Sequence, residues 1–159
     1  NEYFRRNNIL NKRYFSVKSI MQIFGYFHKY RLLYGLSAFI SQLDPTIDEI
    51  TDIKTAVSEA VTNCIAHGYK SQIGTIYINA KIFSNGKVSI KIRDKGVGIP
   101  DVNQAMEPLF TTGGSERAGL GFAVMKSFMD KIKVSSKVSK GTTVTLEKSI
   151  IRRNTASVK

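Results

Sequence analysis

Glu59 and Asn63 stand four residues apart in Ser58-Glu59-Ala60-Val61-Thr62-Asn63. On a helix that spacing puts a carboxylate and a carboxamide on one face, within reach of the same metal ion, water or hydroxyl. Glu59 suits a general base acting on a water or hydroxyl, and Asn63 offers a hard oxygen to Mg²⁺, which keeps waters and takes few protein ligands. Thr55, Ala56, Thr62 and Ala66 flank the pair. Such small neighbours leave room for a ligand against the helix, where a merely solvated face would carry Lys, Glu or Gln.

Two glycine turns follow in the same order along the chain. Asp94-Lys95-Gly96-Val97-Gly98 sets an acid at a strand end before Gly96 and Gly98; the carboxylate suits an exocyclic amine such as that of adenine, and the glycines allow close backbone approach. Gly119-Leu120-Gly121 opens a helix, so free amides and the positive end of the helix dipole can meet phosphate oxygens. Between them lies Phe110-Thr111-Thr112-Gly113-Gly114-Ser115-Glu116-Arg117, which reads as a hinged lid carrying the Thr112 hydroxyl and the Arg117 cation toward a terminal phosphate. Thr143, in Gly141-Thr142-Thr143-Val144, is expected on the last strand beside the base pocket. Together these residues fit ATP with Mg²⁺, and the absence of a Walker pattern excludes a P-loop.

The elements that must position these groups are legible as a coarse pattern. Residues 1–14 are polar and basic and read as a loose terminus, 15–150 as a single domain, and 151–159 as a basic tail. A short strand is expected at 15–20, and at 23–40 a helix with Gly25 and Gly35 as weak points or a partial strand. Phe24, Tyr26, Phe27 and Tyr30 interleave with His28, Lys29 and Arg31 there; core or partner packing is preferred to a membrane-surface role. Asp44-Pro45 predicts a helix start with Asp44 as cap and Pro45 in the first turn. That helix should run to about residue 67, with Ile47, Ile50, Lys54, Val57, Val61 and Cys64 in one row and Gly68 as its stop.

Asn85-Gly86 signals a hairpin between strands at 75–83 and 87–93, the second burying Val88, Ile90 and Ile92. A short helix at 101–106, a helix at 120–130 and a second hairpin at 133–138 and 142–148 complete the pattern. The expected fold is an α/β sandwich, a mixed and mostly antiparallel sheet covered on one face by helices.

Composition bounds the partners. The 159 residues carry a net charge of +12, which steers toward acidic partners without choosing among protein, nucleotide and nucleic acid. A solvated basic surface is preferred to direct nucleic-acid reading, since no helix-turn-helix or zinc pattern is present. No apolar run approaches the roughly 18 residues of a membrane span, and the lone Cys64 forms no internal disulfide, so a cytoplasmic setting and a core role for Cys64 are expected.

Glu59 to Asn63, Asp94 to Gly98 and Gly119 to Gly121 resemble the three nucleotide boxes of the Bergerat-fold ATPases, among them gyrase, MutL and histidine kinases. More closely, Gln42-Leu43-Asp44-Pro45-Thr46, Ser58 to Asn63, His67-Gly68-Tyr69 and Pro108-Leu109-Phe110-Thr111-Thr112 resemble the sporulation anti-sigma F factors, serine kinases of spore-forming bacteria. The resemblance implies a homodimer that binds ATP with Mg²⁺, holds sigma factor F and phosphorylates a serine on an anti-anti-sigma partner. It implies Glu59 as the base, Asn63 as the magnesium ligand, Asp94 as the adenine anchor, Thr143 near the base, and Glu116 and Arg117 as contacts to partner and γ-phosphate.

Two departures stand out: the lid lacks the family's lysine after the threonine pair, and residues 21–35 lack its Asn-Glu-x-Phe-x-Arg pattern, which Asn1-Glu2-Tyr3-Phe4-Arg5-Arg6 echoes much earlier. The alternatives are a stress-response anti-sigma B kinase, the ATP-binding domain of a sensor histidine kinase, and a basic nucleic-acid module whose binding would be salt-sensitive and independent of ATP.

Overall fold

The computed structural model describes residues 13–21, 25–107 and 120–150. In chain order these form strand β1 (Arg13–Met21), helix α1 (Gly25–Ile40), a 3₁₀ turn (Ser41–Leu43), helix α2 (Ile47–Asn63) running into a π turn (Cys64–Gly68), strands β2 (Gly74–Ile82) and β3 (Lys87–Arg93), short helix α3 (Val102–Ala105), helix α4 (Gly121–Phe128), and strands β4 (Lys131–Lys137) and β5 (Gly141–Ser149). The five strands make one sheet in the order β1-β2-β3-β5-β4. Every pairing is antiparallel, so the sheet is more regular than the mixed one expected from sequence. β1 begins at Arg13, inside the terminus expected to be loose.

Period-two alternation decides which face is which. Ile76, Ile78, Ala80 and Ile82 of β2, Val88, Ile90 and Ile92 of β3, and Val144 and Leu146 of β5 are buried under the helices. Leu32, Leu33, Leu36 and Ile40 bring the second half of α1 into the same core, while Tyr30 and Tyr34 are exposed. α2 packs against both α1 and α4. Lys148 is the charged exception on this side; its ammonium reaches Asp52 Oδ2 of α2 at 3.0 Å and the Phe128 carbonyl of α4 at 2.7 Å, so the half-buried charge is partnered.

The start of α2 differs from expectation. Thr46, not Asp44, is the cap: its hydroxyl accepts the Glu49 N–H at 3.0 Å while the Glu49 carboxylate accepts the Thr46 N–H at 2.8 Å, a capping box. Asp44 instead takes a left-handed φ of 51° to close the preceding 3₁₀ turn. The inner row is also rotated from the expected one. Ile47 is 84% exposed, whereas Ile53, Ala56, Val57, Ala60 and Val61 are buried. Ala56, expected beside the ligand, therefore belongs to the core.

Candidate functional site

α2 carries Glu59 and Asn63 half-buried on its flank toward α4. A Cβ built on Gly121, the first residue of α4, would stand 3.2 Å from the nitrogen and the oxygen of the Asn63 carboxamide and 3.4 Å from Glu59 Oε2. The two functional side chains thus meet the opening turn of a helix, where free amides point outward. Leu120, just before it, is 48% exposed and its carbonyl accepts the Val124 N–H at 2.8 Å.

At its far end α2 loosens into the π turn, and Gly68 has a role the sequence did not disclose. A Cβ there would lie 3.1 Å from the Asp94 carboxyl, so the absence of a side chain lets helix end and strand end touch. Gly68 does not stop the helix with a left-handed turn; the positive φ values fall on Lys70 and Ser71 instead. The Gly68 carbonyl accepts the Val97 N–H at 2.9 Å. It would also collide at 2.0 Å with any Cβ on Gly96. Gly98 adopts φ 75°, a conformation that favours glycine.

Asp94 is only 2% exposed. Its Oδ1 accepts the Gly96 N–H at 2.8 Å and the Thr142 N–H at 3.2 Å. Burial first, and then the charge and hydrogen-bonding influence of the Asp94 carboxyl, push the Cys64 thiol well above its ordinary value of 9.0. Cys64 is a core residue, as expected. Tyr69 ties the loop from the other side: its hydroxyl donates to the Thr75 carbonyl and accepts the Lys95 N–H at 2.9 Å. Burial is the first cause raising the tyrosine above its usual 10.0.

Thr143 is displaced from its expected place by strand alternation. Thr142 faces the helices with Val144 and Leu146 and lies beside Asp94, while Thr143 points to the opposite side, in register with Arg93 and Ser135. The Thr142 hydroxyl is 2.9 Å from Ser136 Oγ, which also accepts the Ile99 N–H at 2.8 Å. Thr142 and Ser136 are the site residues sequence reasoning missed; counting alternation back from Val144 would have found the first. Thr112, Arg117 and Gly119, with the rest of the expected lid and Glu116, lie outside the described residues.

Among the described residues no three His, Cys, Asp or Glu side chains form a metal-holding group. A cation beside Asn63 would thus take most of its oxygens from phosphate and water, as Mg²⁺ does. Among the described residues no helix is long and apolar enough to cross a membrane.

The model of the histidine kinase-like ATPase domain matches residues 30–148. The anti-sigma F factor of Thermoanaerobacter pseudethanolicus is 58% identical over 116 residues, covering 72% of this chain and 80% of that protein. The chain belongs to the anti-sigma F factor family. The member from Geobacillus stearothermophilus is 51% identical over 121 residues, 76% of this chain and 83% of the relative. Fold likeness extends further: the RsbU and RsbW domains of a Mycobacterium tuberculosis protein align over 87% of this chain and 32% of theirs, with a TM-score of 0.61 at 18% identity. A histidine kinase domain from a blue-light activated kinase of Erythrobacter litoralis aligns over 77% of this chain and 61% of its own, at 0.53 and 17%. The match to an ATPase-type domain implies that the chain binds ATP.

Proposed function

We propose that the chain is a Mg²⁺-ATP-dependent protein serine kinase that also binds a sigma factor and phosphorylates an anti-anti-sigma partner, acting as a homodimer. The observation that carries the reading is the meeting of Glu59 and Asn63 with Gly121, the first residue of α4. Asp94 anchors the adenine amine through the carboxylate oxygen left over from its backbone bonds. Asn63 holds the cation, and Gly121 lets phosphate oxygens approach the α4 amides. Magnesium, when bound, would neutralise charge on the β- and γ-phosphate oxygens. Glu59 takes the proton of the serine hydroxyl as that oxygen bonds the terminal phosphorus, with ADP as leaving group.

The sigma client is carried over from the relatives, which are anti-sigma F factors, and a partner-switching role is consistent with the RsbW-type neighbour. The test is γ-phosphate transfer to an anti-anti-sigma protein, read by mass spectrometry of its serines. The wild type is expected to label one serine, and Glu59→Gln to lose about 10²-fold or more in rate while still binding ATP, in line with general-base contributions. An unchanged rate in Glu59→Gln would remove the base role.

A further inference from the structure

The face of the sheet turned away from the helices carries charge that the nucleotide site does not use. Lys91 and Arg93 project from β3, Lys133 and Lys137 from β4, all exposed, and Thr143 and Thr145 of β5 form the floor between them. Near the loop end these strands, Lys140 and the almost fully buried Asp94 enclose a shallow concavity of about 260 Å³. In the five described strands the one acid is Glu147, and it is engaged with Lys87 at 2.6 Å. None of the four cations has an anionic partner among the described residues.

We infer that this open face is a docking surface for an acidic polypeptide segment of a partner protein. Neighbouring strands lie about 4.8 Å apart, so the β3 and β4 cation rows flank β5 roughly 10 Å from one another. A helix with its side chains is about 10–12 Å across and an extended segment is narrower, so either fits between rows that can engage carboxylates on both sides. A second copy of the chain would set like charge against like. The chain's own termini are the wrong sign too: 1–12 holds Arg5, Arg6 and Lys12 against Glu2, and 151–159 holds Arg152, Arg153 and Lys159 with no acid. Single-stranded nucleic acid needs aromatic platforms, and the single aromatic in β2 to β5 is Tyr77, which already lies 5.4 Å beneath the Lys95 ammonium. The surface does not include Glu59 or Asn63, borders the nucleotide site only at the buried Asp94, and requires no nucleotide.

The test uses the full chain with two labelled probes, a 20-residue Glu/Ala peptide and a duplex DNA of equal charge. In Lys91→Glu/Lys137→Glu the peptide affinity is expected to fall at least 10-fold. A matched reversal on the helix layer, Arg31→Glu/Lys54→Glu, should change it less than 2-fold. Bound peptide should also protect Lys91, Lys133 and Lys137 from acetylation but not Lys70 or Lys126, and ATP affinity in the face variant should match wild type. Equal losses in the two double variants, protection spread evenly over the lysines, or duplex DNA binding this face more tightly than the peptide would overturn the assignment.

Discussion

The buried Cys64 thiol lies within electrostatic reach of the buried Asp94 carboxyl group, linking the π turn that follows α2 to the end of β3. One side chain thereby couples the helix that carries Glu59 and Asn63 to the loop that carries Gly96 and Gly98. Displacing either partner should loosen both segments together.

The first expected consequence is a pH dependence. The folded thiol titrates above its unfolded value near 9, so its stabilising contribution is complete below that pH and is lost as pH rises from there through the folded value. Tyr69, raised above 10.0, adds to the same alkaline loss. Urea midpoints measured from pH 7 to 11 should be flat in this respect up to about 9 and then decline, and Cys64→Ala should show a shallower decline. Native Cys64 should also resist thiol reagents at pH 8 until the chain is unfolded.

Two glycines should respond in opposite ways to the same substitution. Gly96→Ala meets the Gly68 backbone at 2.0 Å, which nothing flexible can relieve, and should cost stability by more than about 2 kcal/mol in denaturant unfolding. Gly121→Ala meets only the ends of Asn63 and Glu59 at 3.2 and 3.4 Å. It should unfold close to wild type yet lower phosphotransfer about 10-fold or more, because those side chains must shift by a few tenths of an ångström.

Thr142 and Thr143 offer a direct comparison of adjacent positions. Thr142 is buried beside Asp94 and its hydroxyl meets Ser136, so Thr142→Val, which keeps the backbone bond to Asp94, should weaken ATP binding by about 10-fold through the loss of the part-buried hydroxyl bond that positions this strand end. Thr143→Val lies on the opposite face and should leave ATP affinity within 2-fold. Titration calorimetry on the two variants distinguishes them.

Much of this arrangement can be read in the residues themselves. Asn85-Gly86 predicts the β2–β3 hairpin, and Gly86 has the φ of 83° that such a turn requires. Val88, Ile90 and Ile92 are buried as alternation demands. What escapes the sequence is phase. Thr46 and Asp44 are both competent caps, and only the reciprocal bond with Glu49 selects the former. Gly68 looks like an ordinary helix stop because its true neighbour, Asp94, is 26 positions away, and that contact exists only once the fold has closed. Thr142 and Thr143 are chemically identical, so one residue of strand register decides which reaches the site.

The central claim is that one nucleotide is held between α2, the Asp94 loop and the start of α4. Isothermal titration of the full chain with ATP and Mg²⁺, beside Asp94→Asn, tests it most directly. The account predicts one site per chain in the wild type and an affinity for ATP at least 10-fold weaker in the variant, with its thermal unfolding still cooperative. No binding heat in the wild type, or equal affinity in the two proteins, would contradict it.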